Sequence, residues 1–277
     1  ASKIVKRRFM ITRVHAQFIE PRGALGEYNE RNNRYTLYAD VQYPHRVRQV
    51  LAEKIFRIPE QSIRVVAADV GGGFGAKGWQ YVEHRLVLWA SKKIGRPVKW
   101  TCERSESILA DEHGRDNVTD AELALDADNN FLALRVSTLA NVGAYISSIR
   151  NLLSTFSNVG TLVGVYRFQA AHSKVLCVLS NTNPTAPYRG AGRPEASYVI
   201  ERLIDEAAKE FGIDAAELRQ RNIVTSTEMP YKTALMFTYD CGEFDKNMNT
   251  ALKISNYHKF TERRSKSHLR GKLRGIG

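Results

Sequence analysis

An apolar run, Ile63-Arg-Val-Val-Ala-Ala68, leads straight into Asp69-Val-Gly-Gly-Gly-Phe-Gly-Ala-Lys77, where four glycines surround one phenylalanine. Neither a helix nor a strand runs cheaply through such a stretch, because glycine loses more backbone freedom on ordering than any other residue. The chain must therefore turn here. Glycine allows positive φ and brings backbone N–H groups close to whatever lies opposite, so the turn reads as a cradle for an anion or a cofactor. A tight strand-to-helix turn without a ligand is the other reading the stretch permits.

Patterning on either side predicts an α+β fold of mixed β-sheets with packed helices, the helices concentrated in the C-terminal third. Residues 7–18 and 34–42 read as strands, 44–56 as a helix with Pro44 in its first turn, and 62–70 as a buried strand entering the glycine turn. Tyr81 to Ile94 has helical periodicity and stops at Gly95, after which Pro97 opens another strand. Residues 117–145 form two strands around the turn signal Asp126-Ala-Asp-Asn-Asn130. From Arg193 the pattern turns helical: Val199, Leu203, Ile204, Ala207 and Phe211 share one face, Gly212 ends it, and Asp214 with Glu217 has the spacing of a capping box for a second helix.

With 277 residues, 43% of them hydrophobic, the chain is long enough for one large domain or two small ones. No apolar run approaches the ~20 residues of a membrane span, and the first residues lack the apolar block of a secretory signal, so a cytoplasmic location without a membrane partner is expected. Cys102, Cys177 and Cys241 lie far apart, with no CxxC pair and no histidine at metal-ligand spacing, so buried, inert thiols are expected rather than a disulfide framework or a zinc site. The net charge of +12 looks like a nucleic-acid signature until it is located: eight Lys/Arg against one acid, Glu262, lie between Lys253 and Gly277. A helical C-terminal segment, 243–277, facing solvent or a protein partner explains it at least as well, and no nucleic-acid partner is expected.

Gly71, Gly73 and Ala76 satisfy the G-x-G-x-x-G/A fingerprint of a dinucleotide-binding oxidoreductase, which is the alternative function for this turn. The acidic residue expected about 20 positions on is missing, since Glu103 lies 32 residues from Gly71. A Walker-type phosphate loop fails more clearly, with Ala76 before Lys77 and Gly78 after it where glycine and a hydroxyl are needed. A second unusual stretch runs from Asn183 to Glu195, where Arg189 and Arg193 flank Gly190 and Gly192 just before a helix. Two guanidinium groups and exposed N–H donors there could converge on a phosphate or an oxyanion, although a Pro/Gly-rich loop with surface arginines is the plainer account.

Taken together and in order, EPRGALGEYNERNNRYTLY, VQYPHRVRQVLA, DVGGGFGAK and TNPTAPYRGAGRPEASYVIERLIDEAAKEFGIDAAELRQRN resemble the molybdenum-binding large subunit of the xanthine dehydrogenase and aldehyde oxidase family, a resemblance that runs from about residue 8 to the end. The resemblance implies a molybdopterin cofactor, in the cytosine dinucleotide form usual in bacterial members, with molybdenum held by the pterin dithiolene and no protein metal ligand. It implies that Gln42 hydrogen-bonds an oxo ligand of the metal, that the backbone around Gly73, Phe74 and Gly75 lies against the metal site, and that Arg189 contacts the pterin. It further implies electron transfer through a 2Fe-2S small subunit and an FAD-binding medium subunit.

Departures from the family pattern narrow the substrate. Purine hydroxylases carry a glutamate where this chain has Gly78 and a stacking phenylalanine where it has Ala191; their substrate-binding arginine would fall near Ser157, and no arginine lies between Asn151 and Tyr166. Carbon monoxide dehydrogenases place a copper-binding cysteine where Gly190 stands. Hydroxylation of an aldehyde or an N-heterocycle, with oxygen from water, is what remains. The resemblance places the family's general-base glutamate in a later segment, so no catalytic residue is expected within 1–277. The chain is read as the first half of the molybdenum-binding region, without the hammerhead-like N-terminal domain and the second half, and inactive alone.

Overall fold

The computed structural model describes residues 1–153 and 158–277, and it is α+β as the patterning predicts. The first strand, β1 (Lys3–Ile11), finds no neighbour nearby in sequence. The next four, β2 (Gly23–Asn29), β3 (Arg34–Ala39), β4 (Ile63–Val66) and β5 (Val98–Thr101), build a sheet of their own in the order β4-β3-β2-β5. Helix α1 (Pro44–Val50), continued by a π-helical turn over Leu51–Phe56, carries the chain from β3 to its parallel neighbour β4. Helix α2 (Val82–Ile94) then carries it across the whole sheet to β5. Leu37, Val47, Leu51, Ile63, Val87 and Leu88 fill the space between helices and sheet. A Cβ at Gly26 would stand 2.6 Å from the Val87 carbonyl carbon, so glycine in β2 is what lets α2 lie this close.

After α3 (Arg104–Ala110) come β6 (Asn117–Leu125) and β7 (Phe131–Gly143), the expected hairpin, with Asn129 at φ +68° and the Asp126 carboxylate accepting from the Asn130 N–H at 2.8 Å. They form a second sheet with β1 and β8 (Ala170–Leu179), ordered β1-β6-β7-β8, in which β1 pairs antiparallel with β6 from Lys3↔Leu125 to Ile11↔Asn117. Alternation puts Val5, Phe9, Ala121, Leu123, Leu134 and Val136 on one face. The apolar stripe of α4 (Arg193–Phe211), with Val199, Ile200, Leu203, Ile204 and Ala207, covers that face, and Gly212 at φ +68° closes the helix. Asp214 Oδ1 accepts from the N–H groups of Ala216 and Glu217 to start α5 (Ala215–Asn222). Helices α6 (Phe244–Ile254) and α7 (Phe260–His268) follow, fastened to α5 by polar contacts such as Tyr257 Oη to Asp214 Oδ2 at 2.9 Å.

Three readings are corrected. The strand expected over 62–70 stops at Val66 and is a half-buried edge strand, because among the described residues β3 alone pairs with it. Of the cysteines only Cys102 is buried; Cys177, on the edge strand β8, and Cys241 are exposed. The dinucleotide fingerprint is not in the setting it needs, since α2 begins at Val82, well past Ala76, so the helix that follows the glycines does not open at them.

His84, in the first turn of α2, is buried, and its Nδ1 accepts the Tyr81 N–H at 3.2 Å. Burial, helped by the charges of Arg22 and Arg85, pushes its pKa down to about 3. An unfolded histidine titrates near 6.5, so below that pH the unfolded chain binds a proton that the folded chain refuses. Stability should fall by up to about 1.4 kcal/mol per pH unit between about 6.5 and 3 on account of this one group. Urea denaturation at pH 7 and pH 5 checks it: His84→Asn, which keeps an acceptor for Tyr81, should flatten the slope, and an unchanged slope refutes the assignment.

Candidate cofactor site

The glycine turn follows β4 and packs against Glu20, Gln42 and Pro187. Its glycines answer first to this chain. The Gly71 N–H donates to Glu20 Oε2 at 2.7 Å, and a Cβ at Gly71 would fall 2.4 Å from the Glu20 Cβ. A Cβ at Gly73 would lie 2.7 Å from Gln42 Oε1, and one at Gly75, φ +103°, would lie 2.0 Å from the Pro187 carbonyl oxygen. The close approach that the sequence reserves for a ligand is thus taken up, on the Cβ side of these three residues, by Glu20, Gln42 and Pro187.

That packing fixes which groups face outward. The peptide unit joining Phe74 to Gly75 is held at both ends: its C=O accepts the Arg189 N–H at 2.9 Å, and its N–H donates to Gln42 Oε1 at 2.9 Å. The Gln42 N–H in turn donates to the Lys77 carbonyl at 2.9 Å. With the side-chain oxygen of Gln42 committed to Gly75, its exposed amide presents two N–H donors. Phe74 holds φ +49° and is 41% exposed, and no described residue pairs with the side chain of the exposed Arg189. Gln42, Gly73, Phe74, Gly75 and Arg189, far apart in sequence, are therefore brought together.

The second loop is braced from below by Arg115. Its Nη1 pairs with the buried Glu195 carboxylate at 2.7 Å and its Nη2 donates to the Arg189 carbonyl at 3.0 Å. Glu195 lies in the first turn of α4, so that helix N-terminus already has its own negative charge. The N–H groups of Arg189, Ala191 and Arg193 go to Phe74, Tyr188 and Gly190 carbonyls, and Arg193 Nη1 folds back onto the Gly190 carbonyl at 3.4 Å. Three of the loop's N–H donors are thus spent within the chain, and the exposed side chains left for a ligand are those of Gln42, Phe74 and Arg189.

Strain concentrates here. Phe74, Arg115, Asp116 and Ala191 all hold positive φ without being glycine, a conformation that costs of order 1 kcal/mol each and persists where the surroundings over-determine it. Sequence reasoning placed Glu195 in the first turn of a helix but missed Arg115 and Asp116, because an arginine in a polar string carries no periodic signal to reveal it. Lys77 is 1% exposed and serves inside the turn, its Nζ donating to the Glu20 carbonyl at 2.8 Å and pairing with Asp40. Ser157, where the purine-hydroxylase arginine would fall, lies outside the described residues. A cleft of about 850 Å³ opens nearby, lined by Trp79, Tyr81, Glu112, Tyr145 and Ser147 among others, but it touches none of the five expected site residues. The strained, doubly anchored peptide places the candidate site at the turn rather than in that cleft.

An α+β domain that holds a strained glycine turn against a Gly/Arg loop, with amide and guanidinium donors facing out, is of the cofactor-cradling class. The chain belongs to the molybdopterin cofactor-binding domain family, whose pattern matches residues 1–223. It is 33% identical over 255 residues to the carbon monoxide dehydrogenase large chain of Hydrogenophaga pseudoflava, covering 91% of this chain and 32% of that one. It is 29% identical over 282 residues to the 6-hydroxypseudooxynicotine dehydrogenase complex subunit gamma of Paenarthrobacter nicotinovorans, covering 100% and 35%. The structure of quinoline 2-oxidoreductase from Pseudomonas putida 86 superposes with a TM-score of 0.93 at 32% identity, covering 98% of this chain and 34% of that one. The chain thus spans about a third of the length of these relatives. Among the described residues no helix is long and apolar enough to cross a membrane.

Proposed function

We propose that this chain forms one wall of the molybdenum–pterin pocket in the large subunit of a molybdenum hydroxylase that acts on an N-heterocycle or an aldehyde. The observation that carries the reading is the peptide unit of Phe74 and Gly75, locked between Gln42 and the Arg189 backbone so that the Gln42 amide hydrogens and the Arg189 guanidinium are left for a ligand. The bound group would supply two-electron oxidation with oxygen taken from water. Gln42 would donate to an oxygen on the metal, the backbone at Gly73, Phe74 and Gly75 would wall the metal side, and Arg189 would neutralise the anionic pterin tail. An oxyanion-directed amide of this kind orients a ligand without binding the metal itself.

The relatives that act on quinoline and on 6-hydroxypseudooxynicotine favour the N-heterocycle within this reading, and Gly190 at the position of the copper-binding cysteine speaks against carbon monoxide. Residues 1–277 would be the first half of the molybdenum-binding region, with 243–277 as a helical segment, and the general-base glutamate would come from the remaining half of the large subunit. Iron–sulfur and FAD subunits would carry the electrons away, and the pterin would carry a cytosine dinucleotide in a cytoplasmic enzyme. The dinucleotide-binding alternative is disfavoured, because the Gly71 and Gly75 N–H groups are already spent on Glu20 and Gln42.

The test is the molybdenum and pterin content of the native complex captured through this chain. About one of each per chain, the ratio of a single resident cofactor, is the expected result. A complex with intact partners and no molybdenum would sink the proposal.

A further inference from the structure

Arg150 is absent from the residues the sequence points to, yet it reaches the glycine turn. It lies in the 3-10 turn Ile149–Leu152, with its side chain 8% exposed. Its Nη1 donates to Glu112 Oε2 at 3.0 Å, and its Nη2 donates to the Gly75 carbonyl. Glu112 is itself buried and also accepts from the Ser147 hydroxyl, while Asn151 next door donates to the Thr185 carbonyl at 2.6 Å. The guanidinium is thus clamped on one side so that its other side can hold a single backbone oxygen.

That oxygen matters because of where it sits. Gly75 has φ +103° and no side chain, so nothing of its own restrains the peptide plane that follows it. The Gly78 N–H, 3.1 Å away, is the other donor to the Gly75 carbonyl. A charged donor roughly doubles the strength of such a bond and points it along one direction. The preceding plane carries the N–H that fixes Gln42, so a turn that rocks at Gly75 frees the Gln42 amide to rotate and to present oxygen instead of N–H. Arg150 also stands where a side chain at position 78 would be: a Cβ on Gly78 would meet its Nη2 at 2.9 Å and the Gly75 oxygen at 2.9 Å. Glycine at 78 and arginine at 150 are a matched pair.

We propose that Arg150, clamped by Glu112, is a positioning residue that orders the glycine turn from behind and thereby sets the donor face of Gln42. The inference rests on the function proposed above only for what that face meets; the order of the turn is independent of it. Hydrogen exchange read by mass spectrometry on the intact complex tests it without reference to turnover. In Arg150→Met, amides within 73–78 should exchange about 10- to 100-fold faster, the factor expected for losing one charge-assisted hydrogen bond. Arg150→Lys, which keeps the charge but not the fork, and Glu112→Gln should show smaller increases in the same segment, with β6 and α4 unchanged. An unaltered turn in Arg150→Met, or a rise spread evenly through β6 and α4, overturns the proposal. If Arg150→Met does not assemble, the absence of a turn-specific rise in Glu112→Gln overturns it as well.

Discussion

Gly75→Val should cost the protein on the order of 3–5 kcal/mol of stability and abolish cofactor retention, with the stability loss present even in protein made without molybdenum. Two penalties add. Positive φ at +103° costs a residue with a side chain about 1–2 kcal/mol, and valine's branching makes it worse. The Cβ would also stand 2.0 Å from the Pro187 carbonyl oxygen, which is backbone in the second loop and cannot swing aside. Gly95→Ala is the control for conformation alone, since Gly95 has φ +67° with nothing within 4 Å of its Cβ position; it should cost only about 1 kcal/mol. Denaturation of cofactor-free Gly75→Val decides the matter: wild-type stability there would mean that the glycine serves the ligand alone.

Lys77→Met should destabilise by about 3–5 kcal/mol, because it strands a buried carboxylate. Asp40 keeps backbone donors alone once the ammonium is gone, the Gly23 N–H at 3.0 Å and its own, and Glu20 keeps the Gly71 N–H but loses its charged donor. Burial already pushes the Asp40 carboxyl upward against the pull of Lys77 and the Gly23 N–H. The double variant with Asp40→Asn should recover a good part of the loss, since a neutral amide tolerates the site without its cation. Additive losses in that cycle would show that the lysine acts through packing over Phe18, 4.6 Å from its ring centre, and not through charge.

Both variants bear on how the sequence can be read. The glycine turn, the Gly/Arg loop and the helices at 82–94, 193–211 and 215–222 were legible because each depends on local chemistry: positive φ, capping residues and a 3.6-residue stripe. Gln42 and Phe74 were singled out only through resemblance, since nothing local tells one exposed glutamine from another, whereas Arg189 also stood out beside the glycines of its loop. Strands β2 and β8 escaped notice: β2 is Gly-Ala-Leu-Gly-Glu-Tyr-Asn, and β8 lies largely exposed at a sheet edge, so neither shows clean alternation. Arg22 escaped for a different reason. It is buried among Asp111 at 2.5 Å, Glu83 at 2.9 Å and the faces of Tyr81 and Trp100, partners that only the tertiary fold assembles. The purpose of the glycines was misjudged in one respect, because the direction in which a missing Cβ would point is a property of the backbone and not of the letter G.

The pairing of β1 with β6 has a consequence for how the molecule is made. Residues 23–101, lying between those strands, contain every strand of the other sheet, so that layer is complete in sequence by Thr101. At ~5–20 residues per second, β1 waits on the order of 5–20 s on the ribosome before β6 is synthesised. Contacts this distant along the chain also close slowly afterwards. The Gly/Arg loop emerges later still, so the clasp between Phe74 and Arg189 cannot close until β1 and β6 have both been made. The layer that carries the glycine turn is thus complete in sequence before the contact that holds the turn can close.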